Sequence, residues 1–450
     1  MNILLITSYF PPDAHIGATR WYRIGKRLLQ QGHRLHVISA DNRSRLSMRF
    51  APQVGYHDIS PTALHLVSYP CSSTLLRLSL RGLRATHWLP NRIRRMLSQS
   101  MTLKASHDWA PLSSLLNALD RITQAPYSRV FFPHDSWAWG NRVADYGQGI
   151  VSSANIQVII ATHPFLGTLR GASLLAERSG LPWIADMRDP LHNDPQLRCD
   201  WIRKRLLPLE QAILQKAASV VTINRCLAGM LATSKDVQII PNCYDDPLTR
   251  THSVKSDLSN SAPLEIAYTG AIFDNHRYRE LFDSLLAMPH RRGTEALLRF
   301  SYYGRSYDRL APYVDRLKAK GIELTNCGFV SAQECLQAQA RSDLLLVFGW
   351  RGIGCQCVMT GKVFDYLAAG QPIIAVTERS TALAELIDRT GAGIVLDSGE
   401  ETQRFFSNLR QSKVSELHRL EQGRKPHVIR EYSATETAHK YEELLRSVVK

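Results

Sequence analysis

The stretch that decides the fold is TGKVFDYLAAGQPII, at residues 360–374. Gly361 precedes an apolar helical pattern that stops at Gly370, and a strand pattern follows. The free backbone N–H groups and the dipole at the start of such a helix favour a phosphate. Lys362 adds a full positive charge there. Asp365 follows one turn later on the same face, and its carboxylate oxygens can accept hydrogen bonds from both hydroxyls of a ribose.

The alternative for Lys362 and Asp365 is a solvated surface ion pair without a ligand. The rest of the chain bears on this choice, because strand and helix patterns alternate along it. Short apolar runs fit for buried parallel strands lie at 2–7, 35–38, 129–132, 158–161, 182–185, 220–223 and 238–240 in the first half. In the second half they lie at 264–268, 298–302, 323–327, 344–348 and 373–376.

This alternation predicts an α/β protein with two doubly wound, Rossmann-like domains that face each other across a cleft. We place the N-terminal domain at 1–245, the C-terminal domain at 246–430 and a final helix at 431–450. Because the loops at the carboxyl ends of both sheets border the cleft, a ligand is expected there. The polar segment near 245–263 predicts a hinge about which the cleft closes on that ligand.

Composition excludes several classes of protein. The 450 residues are 44% hydrophobic and 21% charged, which is typical of globular domains and not of disordered or fibrous chains. No apolar run approaches the roughly 18–20 residues that span a bilayer, and we find no signal peptide, so we expect a cytoplasmic protein. Eight cysteines are too few for a disulfide framework, and the close pair Cys355 and Cys357 does not match a zinc site. We therefore expect buried thiols.

The net charge of +15 is divided unevenly along the chain. Residues 1–245 hold 28 Lys and Arg against 15 Asp and Glu, whereas residues 246–450 hold 27 against 25. Between 72 and 107 there are seven basic residues, interleaved with leucines, and no acidic residue. This segment predicts contact with an anionic membrane surface. The alternative is an amphipathic helix packed on its own domain, and the scarcity of interleaved aromatic residues disfavours nucleic acid.

Residues 360–374 resemble the nucleotide-sugar-binding motif of GT-B glycosyltransferases, especially the retaining family four, or glycosyltransferase group 1. The segments at 9–33, 162–164 and 186–190 are similar to other signatures of that family and follow its order over residues 1–376. The resemblance implies a GT-B fold, a nucleotide-diphosphate sugar as donor, and no metal or further cofactor. It also implies that the C-terminal domain binds the nucleotide and the N-terminal domain binds the acceptor.

The chain departs from the family pattern at two places. The acidic pair of the family would fall on Cys357 and Asp365, so its first member is absent and its second is shortened. The Gly-Arg that often follows the first strand of the second domain is here Gly270-Ala271. We expect one of three other arginines to bind the phosphate in its place, namely Arg277, Arg279 or Arg305.

The sequence pattern and the resemblance together predict the following site residues. The catalytic residues are His163, Lys362 and Asp365; the donor is bound by Gly17, Gly270, Arg277, Arg305, Gly328, Gly361, Lys362 and Asp365; the acceptor side has His134, Asp186 and Asp189. His163 would face the donor sugar, although a core histidine is the alternative. Gly17 lets backbone approach the phosphates or forms a turn only. Asp186 and Asp189 orient the acceptor or, equally well, pair with Arg188.

The predicted function is a retaining, metal-independent glycosyltransferase of cell-surface polysaccharide or glycolipid synthesis, at the inner face of the membrane. Its partners would be a nucleotide-sugar donor and a glycan or lipid-linked acceptor. Two alternatives stay open at this point: a nucleotide-sugar epimerase of the same fold, and a binding protein of this fold without turnover. The sequence has no Asp-x-Asp, which disfavours the metal-bridged diphosphate of the other glycosyltransferase fold. It has no P-loop and no Gly-x-Ser-x-Gly hydrolase motif.

Overall fold

A computed structural model describes residues 1–12, 16–41, 59–68, 134–194, 200–245, 263–290, 297–352 and 354–449. Within these ranges two sheets of parallel strands form, one in each half of the chain. The first has the order β3-β2-β1-β4-β5-β6-β7 and the second β10-β9-β8-β11-β12-β13. Strands β1–β7 are Asn2–Thr7, Arg34–Ala40, Ala63–Val67, Val158–His163, Trp183–Met187, Ser219–Thr222 and Val237–Ile239. Strands β8–β13 are Leu264–Thr269, Leu298–Tyr303, Ile322–Gly328, Leu344–Phe348, Ile373–Val376 and Gly393–Leu396.

Helices lie between most of these strands. In the first half, α1–α5 are Thr19–Gln30, His134–Ser153, Leu166–Ser179, Asp200–Lys216 and Arg225–Ala228. In the second half, α6–α14 are Tyr278–Ala287, Val314–Lys318, Ala332–Arg341, Lys362–Ala369, Ala382–Thr390, Gly399–Gln411, Lys413–Gln422, Pro426–Arg430 and Ala434–Val448. Short 3-10 turns are Ile16–Ala18, Tyr307–Arg309, Ala311–Tyr313 and Cys355–Cys357.

The predicted architecture of two doubly wound domains and a final helix is confirmed. Strands β3 and β13 were not predicted. The predicted strand at 129–132, the basic segment 72–107 and residues 246–262 of the predicted linker lie outside the described residues. No helix in the described part of the chain is long and apolar enough to cross a membrane.

Strand β1 shows why helices must cover both faces of the first sheet. Its residues from Ile3 to Ile6 are all fully buried, as expected for a parallel strand. Leu4 and Ile6 pack in one apolar cluster with Val143 of α2. Ile3 and Leu5 point to the opposite face and pack with residues of α1 and α14. The final helix therefore completes the core of the N-terminal domain.

The chain crosses between the domains twice, and the two crossings are bonded to each other. Tyr244 N donates to Tyr432 O at 3.0 Å, and Ala434 N donates to Tyr244 O at 2.8 Å. Beyond this point α14 lies against α1, where the rings of Trp21 and Tyr441 are 5.1 Å apart. The return of the final helix thus fixes the connection between the domains.

A buried arginine joins α1, β5, the first crossing and α14. Arg20 donates to the two carboxylate oxygens of Asp186 at 3.1 and 3.0 Å. It also donates to Pro241 O at 2.7 Å and to Tyr441 Oη at 3.1 Å, and Trp21 Nε1 donates to Asp186 at 3.1 Å. Arg20 is 4% exposed and Asp186 is fully buried. Burial opposes the charge on Asp186, but the Arg20 guanidinium outweighs it and holds the pKa of Asp186 below its usual value.

Substitution of Arg20 should therefore destabilise the N-terminal domain strongly. Arg20→Ala leaves the Asp186 carboxylate buried without its partner, and loss of one member of such a pair costs about 3–5 kcal/mol. The matched control is Arg178→Ala, which removes an exposed pair with Asp145 and should cost less than about 1 kcal/mol. Urea unfolding, followed by tryptophan fluorescence, measures the free energy of unfolding of both variants. Equal losses in the two variants would contradict the role given to Arg20.

Candidate functional site

The first turn of α9 lies where the two domains meet. The helix starts at Lys362 after Gly361 and ends at Gly370, whose φ of 85° closes the helix in the left-handed conformation. Val363, Phe364, Tyr366 and Leu367 are buried in the C-terminal domain. Packing of this face leaves Lys362 and Asp365 at the domain interface. The helix that the sequence predicted from Gly361 to Gly370 is confirmed.

Lys362 is held against the end of β8. Its Nζ donates to Tyr268 Oη at 2.6 Å and lies 3.9 Å from the centre of the Tyr268 ring. The side chain is partly exposed, but enclosure of the amine at this position lowers the pKa of Lys362 to about 7. With this pKa the amine is only partly charged at neutral pH. No carboxylate among the described residues bonds it.

Gly270 is the residue that allows the lysine to approach the backbone. Its φ is 113°, which side chains rarely permit, and a Cβ there would lie 3.1 Å from Lys362 Nζ. Beneath it, Tyr366 Oη accepts from Thr269 N at 3.0 Å, and Gln339 donates to Thr269 Oγ1 at 3.0 Å. These buried bonds fix the end of β8 against α9, so that a phosphate could contact Lys362 and backbone N–H groups together.

Asp365 is bonded across the domain interface. Its carboxylate accepts from Arg23 Nη2 at 2.5 Å, and the side chains of Arg23 and Asp365 are 12% and 24% exposed. Arg23 belongs to α1, and its other terminal nitrogen donates to Cys243 O. The carboxylate assigned to a ribose is thus engaged by an N-terminal-domain arginine in this conformation.

The structure separates the three candidate phosphate arginines. Arg277, assigned to the donor, is 8% exposed and pairs with Glu280 and Asp397, so its guanidinium is already used inside the domain. Arg279 is exposed and donates to the backbone of Asp274 at 3.1 Å. Arg305 is exposed, and its guanidinium carbon lies 3.9 Å from the centre of the Phe329 ring. Within the described residues Arg305 has no carboxylate partner, which favours it over Arg277.

Two further assigned residues end strands, and a third lies in the loop between β1 and α1. His163 ends β4 and is 2% exposed, and burial lowers its pKa to about 3, so the ring is neutral. Neither ring nitrogen has a well-aligned hydrogen-bond partner among the described residues, and the backbone of Asp189 is the polar group that interacts with the ring. Gly17 lies in the 3-10 turn before α1, and its carbonyl accepts from Arg188 at 2.7 Å. Gly328 ends β10 with a φ of 74°, and a Cβ there would meet no atom within 4 Å.

The three acceptor-side residues lie in different surroundings. Asp186 is buried and pairs with Arg20 inside the domain, and the charge of Arg188 also acts on its carboxylate. Asp189 is exposed after β5. His134 is the first residue of α2, and its side chain lies outside the described residues. Of the nearby aromatic residues, Trp139 is core and donates to Val67 O at 3.0 Å.

Sequence reasoning missed the residues that complete this site. Arg23 and Tyr268 contact Asp365 and Lys362, but nothing in their local sequence marks them. His276 is 4% exposed beside Trp350, with 4.7 Å between ring centres. Burial and then the charge of Lys362 lower its pKa to about 4.

The expectation of buried free thiols is confirmed for Cys243 and Cys355, whereas Cys327 and Cys335 are free but only partly buried. It is wrong for two further cysteines. Cys226 of α5 and Cys357 of the second domain form a disulfide with Cα atoms 5.1 Å apart. They are 131 residues apart in the chain, so spacing could not reveal the pair. Among the residues that the structure describes, no group of three or more His, Cys, Asp or Glu could hold a metal ion.

Comparison with solved structures now decides the fold. The chain superposes on HepE from Anabaena in complex with UDP, with a TM-score of 0.58 and 12% identity over 99% of this chain and 100% of that one. The chain adopts the GT-B fold. Sucrose-phosphate synthase from Thermosynechococcus elongatus gives a TM-score of 0.60 and 13% identity over 99% and 98% of the two chains. A glycosyltransferase from Rickettsia africae gives a TM-score of 0.58 and 11% identity over 100% of this chain and 98% of that one.

These structural neighbours are GT-B glycosyltransferases, but identities this low establish the fold alone. No protein-family model and no curated protein sequence matches the chain.

The lowered pKa of Lys362 predicts an unusually reactive amine. Reaction with an acylating reagent needs the neutral amine, which forms above a pH of about 7 at Lys362. Labelling of Lys362, followed by mass spectrometry, should therefore rise with a midpoint near pH 7 and level off near pH 8. N-acetyl-lysine amide in the same reaction should continue to rise beyond pH 9, since a lysine in water titrates near 10.4. Parallel curves for the protein and the reference would contradict the perturbed pKa.

Proposed function

We propose that the chain is a glycosyltransferase that moves a sugar from a nucleotide diphosphate to a hydroxyl acceptor with retention of the anomeric configuration. The observation that carries the proposal is the first turn of α9, where the amine of Lys362, the N-terminal end of the helix and the close approach of Gly270 come together. A nucleotide-sugar donor is further supported by HepE, which has been solved with UDP and with UDP-glucose.

The first task of the site is to stabilise the departing diphosphate. The N–H groups at the start of α9 and the ammonium of Lys362 would bond the phosphate oxygens, where negative charge grows as the glycosidic bond breaks. Arg305 would add a second positive charge, because no carboxylate among the described residues pairs with it. A bound diphosphate stabilises the ammonium form of Lys362, so binding above pH 7 takes up a proton.

The second task is to hold the ribose and the sugar. Asp365 would accept hydrogen bonds from the ribose hydroxyls in exchange for the one from Arg23, as the domains adjust around the donor. His163 stays neutral at physiological pH, and a neutral ring at the end of β4 could bond a sugar hydroxyl. Gly328 and the exposed Phe329 would border the base.

The retaining course follows from the proposed division of roles. We assign no side chain as a nucleophile, and the departing phosphate oxygen instead accepts the proton of the acceptor hydroxyl on the same face of the sugar. The acceptor oxygen then bonds the anomeric carbon as the bond to the diphosphate breaks. The resemblance to family four supports this course and a transfer without metal.

The amino-acid sequence supports a more specific substrate class and a cellular location. We propose a hexosyl transfer in polysaccharide or glycolipid synthesis, with a glycan or lipid-linked acceptor. The basic segment 72–107 would hold the enzyme at the anionic inner face of the membrane, since each arginine near such a surface contributes about 1 kcal/mol. Sedimentation with anionic and neutral liposomes distinguishes this from an amphipathic helix packed on its own domain.

Binding of UDP to reduced protein, followed by calorimetry, tests the donor site. Lys362→Ala and Asp365→Asn should each weaken the binding free energy of UDP by about 1–3 kcal/mol, because each removes a charged hydrogen-bond partner. The wild-type affinity should fall roughly tenfold for each pH unit above 7, and Lys362→Arg should not show this fall, because arginine stays charged. The control is Arg419→Ala, which removes an exposed arginine of α12 that pairs with Glu416 in the same domain, and it should leave the affinity unchanged.

The reaction itself is tested with labelled nucleotide sugars, with and without membrane lipid extract. Transfer that needs the extract and is lost in Lys362→Ala supports a glycosyltransferase. Conversion of the sugar without any acceptor would show an epimerase instead. Binding without either reaction would leave a binding protein of this fold, and full turnover by Lys362→Ala would refute the site.

A further inference from the structure

A disulfide joins the two domains beside the proposed donor site. Cys226 lies on α5, directly after β6 at the carboxyl end of the first sheet. Cys357 lies in the 3-10 turn that follows β11 of the second sheet. Of the cysteines that the structure describes, the other four are thiols: Cys243, Cys327, Cys335 and Cys355. The bonded pair is the one that bridges the domains.

The surroundings hold the two sulfurs together by contacts other than the bond itself. Asn224 Nδ2 donates to Cys357 O at 3.0 Å, while Asn224 Oδ1 caps α5 by accepting from Leu227 N at 2.8 Å. Cys357 is 5% exposed and packs in the core cluster of the N-terminal domain. Met359 packs against the cores of both domains. The turn is therefore docked on the opposite domain, and its sulfur is positioned to bond.

The disulfide also restrains the first turn of α9. Cys357 precedes Lys362 by five residues, and Asp365 follows it by three. The chain is thus tied to the N-terminal domain on both sides of Lys362, by the disulfide before it and by Arg23 after it. In this conformation the ligand-binding groups are engaged with protein, Asp365 with Arg23 and Lys362 with Tyr268.

We infer that Cys226 and Cys357 are a reversible oxidation site that controls opening of the cleft. The oxidised form holds the domains together and keeps the donor site closed, and the reduced form lets them separate. The consequence for nucleotide binding rests on the proposed function, whereas the control of domain separation does not. Isolated disulfides in reducing compartments are usually transient and redox-sensing, and Cys226–Cys357 is the single disulfide among the six cysteines that the structure describes.

The chemistry is exchange with a small-molecule disulfide such as oxidised glutathione. Cys226 is partly exposed, so its thiolate attacks one glutathione sulfur and releases the other glutathione as a thiol, which takes up the proton. The Cys357 thiolate then attacks the Cys226 sulfur of the mixed disulfide and releases the second glutathione. Two electrons pass from the two cysteines to glutathione disulfide. Reduced glutathione or dithiothreitol reverses both steps.

The test compares the full chain oxidised with glutathione disulfide and reduced with dithiothreitol. Non-reducing tryptic digestion should yield residues 226–235 linked to residues 352–362 in the oxidised sample only. Small-angle scattering should give a larger radius of gyration for the reduced protein. Apparent UDP affinity should be at least about tenfold weaker in the oxidised form, as expected if the open state falls below about a tenth of the population.

Two variants make the test specific. Cys226→Ser should show the reduced behaviour in both conditions, because the bond cannot form. Cys355→Ser should behave as wild type and retain the linked peptides, which excludes the second cysteine of peptide 352–362 as the partner. Absence of the linked peptides after oxidation would overturn the inference, as would identical scattering of linked and reduced protein. If scattering changes and UDP binds neither form, the inference stands and the proposed donor site is wrong.

Discussion

The pair between Arg20 and Asp186 is the interaction on which the rest of the structure depends. Both side chains are buried, and the same guanidinium bonds the carbonyl of Pro241 and the hydroxyl of Tyr441. One residue of α1 thus fixes a central strand, the first crossing between the domains and the final helix. Because a buried arginine is tolerated only when its hydrogen bonds are satisfied, these elements must assemble together.

The next turns of α1 extend this arrangement to the second domain. Arg23 bonds Asp365 of α9, and Lys26 and Arg27 lie 3.8 and 3.3 Å from the carboxylate of Asp245 in the first crossing. The basic face of α1 is therefore used inside the molecule. Its charges place the first turn of α9, and hence Lys362, opposite the N-terminal domain. Part of the positive charge that the sequence suggested for an anionic partner has this structural role.

Much of the fold was predictable because parallel strands buried on both faces are short apolar runs. Strand β1 and strand β11 were predicted to the residue. Strand β3 was missed because ALHLV contains a polar residue and precedes a segment without clear periodicity, and β13 because it has four residues and starts with glycine. Local pattern specifies a strand only when enough consecutive residues share one environment.

The candidate site was predictable only where one helix carries it. Lys362 and Asp365 lie three residues apart, so helical spacing places them together. Their partners come from elsewhere: Tyr268 is 94 residues from Lys362, and Arg23 is 342 residues from Asp365. The disulfide likewise joins residues 131 positions apart. Contacts of this kind are set by how the two domains face each other, which no local pattern encodes.

The central claim is that the first turn of α9 binds the diphosphate of a nucleotide sugar. The most direct measurement is thermal unfolding of the reduced protein with a panel of nucleoside diphosphates and their sugars, for wild type and Lys362→Ala. Ligand that binds only the folded state raises the unfolding temperature by mass action. We expect nucleotides of one base to raise the unfolding temperature of the wild type and not that of the variant. No stabilisation by any nucleotide, or equal stabilisation of both proteins, would contradict it.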